Sequence, residues 1–415
     1  MGEEFDSIGE MMTKSTRRQF ASLAVSLGAA GARLSGGSAT IDETLRSGVD
    51  RRKIPAAVGM FASRDKVLYA GAFGTRDSSG VPVKVDTIFA IASMTKAITT
   101  AAALQLVEQD KVQLDEPVSK YLPQLAKLDL LEGFDAAGKP VLRPAKTEIT
   151  LKHLLTHTSG LCYDIWHGDM FRYTSATGAQ GASGTVGPLM FEPGTRWQYG
   201  QGIDWAGRLV EKLSGLSLEE YFQTKILGPL EMRDTSYIIP EAKFDRLAST
   251  YKRQPDGSLV QDKRALPAPP KAFNGGGGLY STVGDYVRFM QMILGMGKGS
   301  NGARILRAKT VDSMKANQIG ELTAGKMKSY RPLISSDVDI QPGFTEKWGL
   351  GFLINTTAYP GGRSSGSLAW AGIANTYYWI DPKRSRCGVL MMQYYPFVDK
   401  EAVGLLGDFE RAVYS

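Results

Sequence analysis

Ser93-Met94-Thr95-Lys96 is the stretch best equipped to do covalent chemistry in this sequence. It opens a strong helix pattern, rich in alanine, leucine and threonine, that runs to about Glu108. Ser93 and Lys96 therefore stand at i and i+3, on one face and with adjacent side chains. A serine hydroxyl becomes a useful nucleophile only when something takes its proton. A lysine can do that if burial and the positive end of the helix favour its neutral form. The tetrapeptide alone is weak evidence, since a capping serine beside an unrelated lysine looks the same.

Two other candidates compete with it. Gly362-Arg363-Ser364-Ser365-Gly366 fits the Gly-x-Ser-x-Gly nucleophile elbow, which requires a buried strand before it and a helix after it. Here Tyr359-Pro360-Gly361 precedes the motif and a strand pattern follows, so the expectation is a glycine-rich turn. His153, His157 and His167 are the three histidines, and His153 and His157 at i and i+4 could serve a Ser-His-Asp triad or a metal. No carboxylate stands where a zinc-protease motif needs one, so structural histidines are expected, with no metal and no organic cofactor.

A short helix over Ile41 to Arg52 precedes two β-runs, Ala56 to Ser63 and Lys66 to Phe73, which read as a hairpin just ahead of the nucleophile. Residues 130–270 read as a mainly helical insertion, with helices near Leu151 to Leu155, Ile203 to Leu213 and Leu218 to Lys225 and a Gly/Ser/Ala-rich loop over Ala176 to Gly187. The run Gly275 to Gly278 reads as a place where backbone freedom is selected. After a helix over Val283 to Leu294, β-patterns return at Gly349 to Asn355, Leu368 to Gly372, Thr376 to Ile380 and Gly388 to Gln393. A last helix covers Glu401 to Val413. The expected architecture is α/β of the α+β type, an antiparallel sheet built from 40–129 and 271–415, flanked by helices, with the helical lobe inserted.

Composition narrows the partners. The chain has 415 residues and a net charge of +7, but its lysines and arginines are spread out and not interleaved with aromatics, so nucleic acid is not implied. Cys162 and Cys387 stand far apart with no metal or redox spacing, and two unpaired buried thiols are expected. Thr16-Arg17-Arg18-Gln19-Phe20, followed by an apolar run from Ala21 to Ala32, looks like a twin-arginine signal. Residues 1–39 are accordingly read as a signal or a disordered tail, which implies a periplasmic or secreted protein, with a cytoplasmic one as the alternative. No other apolar run reaches the length of a membrane span, so no stable membrane insertion is expected.

Further motifs give Ser93 and Lys96 their context. Ile149 to Leu161 with its Leu154-Leu155-Thr156-His157-Thr158-Ser159-Gly160 core, Trp197-Gln198-Tyr199-Gly200, and Gly275 to Leu279 followed by Ser281-Thr282 all stand in order behind the tetrapeptide. Together they resemble the serine β-lactamase and penicillin-binding-protein superfamily, specifically the class C β-lactamase-like branch that includes the family VIII carboxylesterases. The resemblance implies a β-lactamase-like fold, Ser93 as nucleophile, Lys96 as its partner and Tyr199 as second base. The Tyr-x-Asn element reads Tyr199-Gly200-Gln201, without its asparagine. The Lys/His-Thr-Gly that holds a substrate carboxylate is also missing, for Lys309-Thr310 is followed by Val311.

At the corresponding place stands Trp370-Ala371-Gly372, which resembles the Trp-Gly-Gly of family VIII esterases. The resemblance also implies an oxyanion hole from the backbone N–H groups of Ser93 and Ile373. An indole in place of an ammonium favours neutral, apolar esters, and Trp166 and Phe171 are expected to line the pocket with Trp370. The expected activity is thus hydrolysis of small, short-chain carboxylic esters through an acyl-enzyme on Ser93. Alternatives are a β-lactamase or D-alanyl peptidase, and an acyltransferase to an alcohol. For the last, Leu130 to Asp135 and Tyr199-Gly200 with Asp204-Trp205-Ala206-Gly207 resemble segments of fungal acyltransferases.

Overall fold

The computed structural model describes residues 37–178 and 186–415. The twin-arginine segment and most of the Gly/Ser/Ala-rich loop lie outside the described residues. The chain runs from helix α1 (Gly37–Arg52) into the hairpin β1 (Ala56–Ser63) and β2 (Val67–Gly74), then through β3 (Phe89–Ala90) and a 3-10 turn at Ala92–Met94 into α2 (Thr95–Glu108). There follow the hairpin β4 (Asp129–Phe134) and β5 (Pro140–Pro144), helices α3 (Leu151–Leu155), α4 (Gly168–Thr177), α5 (Gly202–Ser214) and α6 (Leu218–Phe222), and the hairpin β6 (Tyr251–Arg253) and β7 (Leu259–Gln261). Then come β8 (Tyr280–Ser281), α7 (Val283–Leu294), α8 (Ala308–Lys315), β9 (Glu346–Trp348), β10 (Leu353–Asn355), β11 (Leu368–Gly372), β12 (Thr376–Asp381), β13 (Arg386–Met391), β14 (Tyr394–Tyr395) and α9 (Lys400–Tyr414).

Seven strands form the main sheet in the order β2-β1-β13-β12-β11-β10-β9, every pair antiparallel. The N-terminal hairpin thus docks against strands more than 300 residues later, Val58 opposite Met391 and Ser63 opposite Arg386. β1 is buried over nearly its whole length because both of its faces are covered. Gly59 abuts Leu45 of α1 and Phe409 of α9 on one side, and Met60 meets Gly284 of α7 on the other. The expected sheet of N- and C-terminal strands flanked by helices is therefore the observed one.

α2 is buried on nearly every side, from Thr95 through Ala103 and on to Leu106. A helix that is mostly apolar all round belongs in the core, and that burial carries Lys96 out of water. The middle segment supplies α3 to α6, yet it also holds two hairpins that the sequence reading missed. One is irregular at Leu131/Gly133 and has prolines at both ends of its second strand, features that blur a strand pattern. The other is stitched to the C-terminal region by the parallel pair Tyr394/Tyr251. Cys162 and Cys387 are free and buried, as expected. Among the described residues no helix is long and apolar enough to cross a membrane.

Candidate active site

Ser93 lies in the 3-10 turn that feeds α2, directly after Ala92, whose φ of 43° is a left-handed value costly for a residue with a Cβ. The turn is held from several directions. Phe89 and Ala90 pair with Ser281 and Tyr280, the Ile91 N–H donates to the Leu279 carbonyl at 3.0 Å, and the Tyr286 hydroxyl donates to the Met94 carbonyl at 2.9 Å. The result is a partly exposed Ser93 above a Lys96 that is only 1% exposed.

Lys96 Nζ has three acceptors, as many as an ammonium can serve. It donates to Ser93 Oγ at 3.3 Å, to the Tyr163 hydroxyl at 3.2 Å and to the Gly276 carbonyl at 2.6 Å. The last contact gives the glycine run a physical reason that differs from the expected one. Of the four glycines only Gly278 has a left-handed φ, at 104°. Gly275 and Gly276 are needed for close approach: a Cβ on Gly275 would stand 2.7 Å from the Ile203 carbonyl, and one on Gly276 would collide with the Asp204 carboxylate.

Tyr199 is buried, with its ring 4.8 Å from Lys96 Nζ. Its hydroxyl accepts the indole N–H of Trp370 at 3.2 Å. Tyr163 stands beside it, ring centroids 5.5 Å apart, because the chain around Cys162 bridges to Gly200 and the Gln201 N–H donates to the Leu161 carbonyl at 2.9 Å. The two motifs read separately in the sequence are one small piece of paired backbone. The Tyr163 hydroxyl in turn donates to Asp204 Oδ2 at 2.5 Å. Burial and the nearby Asp204 charge push its pKa well above the ordinary value. Neither Tyr163 nor Asp204 was picked out as a site residue; the available signal was a lone carboxylate in the apolar α5 sequence Ile203-Asp204-Trp205-Ala206.

Of the expected pocket residues, Trp370 and Trp166 join this cluster, their rings 4.8 Å and 5.4 Å from Tyr199. Phe171 instead stacks on Tyr330 at 6.3 Å with Arg331 over its ring. Ala371 and Gly372 are buried at the end of β11, where a Cβ on Gly372 would strike the Ile91 carbonyl. This close approach sets the partly exposed Ile373 next to the Ser93 turn.

All three histidines hold backbone. His153 Nδ1 accepts the Thr150 N–H at 3.2 Å in a capping box, His167 Nδ1 accepts the Met170 N–H at 3.4 Å at the start of α4, and His157 Nδ1 accepts the Gly200 N–H at 3.4 Å. Burial keeps His157 neutral, with the Lys96 charge adding to the effect. Ser364 sits in a turn, its N–H and hydroxyl both bound to Asp381 at 2.9 and 3.0 Å. The elbow motif is thus a turn between β10 and β11, as expected.

A serine on a strained turn over a buried lysine, with the glycine run and a β-strand end closing round it, can form and release an acyl-enzyme. Comparison with known proteins agrees, since the beta-lactamase family profile matches residues 41–407. The chain belongs to the beta-lactamase family. Within and around this family, it is 33% identical over 399 residues to monacolin J acid methylbutanoyltransferase of Aspergillus terreus, covering 90% of this chain and 95% of that protein. It is 30% identical over 376 residues to lovastatin esterase of Penicillium rubens, covering 85% and 92%. Among solved structures, unliganded simvastatin synthase (LovD) of Aspergillus terreus superposes with a TM-score of 0.78 at 31% identity over 92% of this chain and 98% of that one.

Proposed function

We propose that the protein is a serine acyltransferase that moves a short acyl group from an ester or thioester donor onto the hydroxyl of an apolar small molecule, with ester hydrolysis as the outcome when water is the acceptor. The sequence reading put hydrolysis first and transfer second; the likeness to a methylbutanoyltransferase over almost the whole chain supports the opposite order. The observation that carries the chemistry is the Ser93–Lys96–Tyr199–Trp370 arrangement.

In the first half-reaction Ser93 Oγ forms a bond to the acyl carbon while its proton passes to the Lys96/Tyr199 pair. In this reading the Ser93 and Ile373 backbone N–H groups receive the developing oxyanion. The leaving group then departs, taking the proton. In the second half-reaction the acceptor hydroxyl gives its proton to the same pair, attacks the acyl carbon, and Ser93 Oγ recovers a proton as it leaves. The rings of Trp166 and Trp370 pack on Tyr199 beside Lys96, an aromatic surrounding that supports an apolar acceptor over water. No cation from a Lys/His-Thr-Gly faces the site on β11, so anionic β-lactams lack the partner they need.

The test is product partition. With a p-nitrophenyl ester of a short branched acid as donor, rising concentrations of an apolar alcohol are expected to convert acid product into ester, while a chromogenic cephalosporin is barely cut. Acid as the sole product at every alcohol concentration would return the protein to the hydrolases. Rapid cephalosporin cleavage would contradict the part assigned to Trp370.

A further inference from the structure

Lys96 and Asp204 are the two charged side chains buried at the heart of the site, 1% and 9% exposed, and they do not touch. The Tyr163 hydroxyl lies between them, accepting from Lys96 Nζ at 3.2 Å and donating to Asp204 Oδ2 at 2.5 Å. The two charges are therefore within about 6 Å of each other, with the Tyr163 hydroxyl as the link between them. The other titratable groups facing them are Tyr199, His157, which burial keeps neutral, and Tyr237, whose hydroxyl donates to the Asn274 carbonyl at 2.6 Å. No carboxylate among the described residues bonds or ion-pairs directly with Lys96 Nζ.

Asp204 also packs against Gly276, whose carbonyl is the strongest acceptor of Lys96. One carboxylate thus braces two of the three groups that receive Lys96 hydrogen bonds. Moving it would loosen both while leaving Ser93 in place.

We propose that Asp204, acting through the Tyr163 hydroxyl, is a positioning residue for the acyl-transfer step: it holds Lys96 as an ammonium aimed at Ser93, so that Tyr199 is the group that accepts the serine proton. The inference rests on the Ser93 acyl-enzyme reading above. In the step itself Tyr199 acts as the phenolate: its oxygen takes the Ser93 proton as the Oγ–carbon bond forms, becoming a neutral phenol, and returns that proton to the departing oxygen, which restores the phenolate. Lys96 keeps its own three protons throughout, and its charge stabilises the phenolate beside it.

The experiment compares the burst of p-nitrophenol release from a p-nitrophenyl ester in wild type, Asp204→Asn and Tyr163→Phe, across pH from about 6 to about 10, with intact-mass detection of acylated Ser93. Asn keeps the size and an oxygen acceptor for Tyr163 but deletes the charge. The expected result is an acylation rate down about tenfold or more with KM changed less than about threefold, and an alkaline limb moved to lower pH in Asp204→Asn. Tyr163→Phe, which cuts the bridge and leaves the carboxylate, is expected to move the limb the same way. A wild-type rate and wild-type limb in both variants would overturn the inference while leaving the acyl-enzyme reading intact. Absence of acylated Ser93 in the wild type would instead defeat the reading on which it rests. If Asp204→Asn fails to fold, the limb in Tyr163→Phe decides alone.

Discussion

Replacing Trp370 with phenylalanine probes whether Tyr199 carries charge during the reaction. The Trp370 indole N–H donates to the Tyr199 hydroxyl at 3.2 Å, while the ring packs on Tyr199 and, edge to face, on Trp348, each at 4.8 Å. Phenylalanine keeps an aromatic face at the end of the same strand and removes the donor. If Tyr199 must be a phenolate to take the Ser93 proton, the lost hydrogen bond is one to a charged acceptor, worth about 1.5 to 3 kcal/mol. That converts to a fall in kcat/KM of roughly 10- to 100-fold. If the hydroxyl stays neutral, the loss is about 1 kcal/mol, or about fivefold. Initial-rate kinetics with a short p-nitrophenyl ester, alongside a thermal melt to show that the smaller ring has not loosened the fold, separates the two. A fall of less than about threefold in a variant of unchanged melting temperature would refute the part assigned to the indole, and with it a charged Tyr199.

Other perturbations test the scaffold. Arg363 and Glu410 form a buried pair, 6% and 4% exposed, joined by side-chain bonds of 2.9 and 2.5 Å and a backbone bond of 2.8 Å. Glu410→Gln leaves the guanidinium buried without its counter-charge and is expected to cost about 3 kcal/mol in urea unfolding, with little change in turnover per folded molecule. His157 is held neutral in the fold but takes up a proton near 6.5 when the chain unfolds. Below that pH the unfolded state binds more protons than the native state, so stability is lost as pH falls, by up to about 1.4 kcal/mol per pH unit from this group. His157→Asn, which suits the left-handed φ of 57° at that position, is expected to flatten the slope; an unchanged slope would show that His157 is not the group responsible.

Much of the site was legible because its chemistry is local. Ser93 and Lys96 share a helix face, and Tyr199 belongs to a short motif that the family resemblance picks out. Tyr163 and Asp204 escaped notice because their partnership exists only after the chain at Cys162 pairs with that at Gly200 and α5 lies across the glycine run. The same limit explains Phe171, an apolar ring whose neighbour Tyr330 lies far along the chain. For the fold, periodicity found the long elements closely: β1, β11 and α7 occupy the residues expected of them. It failed on β9, only three residues long, and on β4 and β5, where an irregular register and prolines disguise the alternation. Gly275 and Gly276 are the most instructive case. A glycine chosen for close approach looks the same in sequence as one chosen for backbone freedom, and only the neighbouring Asp204 and Ile203 tell them apart.

The proposed chemistry requires that acyl groups pass through Ser93. Intact-mass analysis of wild type and Ser93→Ala, quenched during turnover of a short p-nitrophenyl ester, tests it most directly. The expected result is a mass increase of one acyl group in the wild type, located at Ser93 by peptide mapping, shortened in lifetime by an alcohol acceptor and absent from Ser93→Ala. Acylation at another residue, or turnover that survives Ser93→Ala, would contradict it.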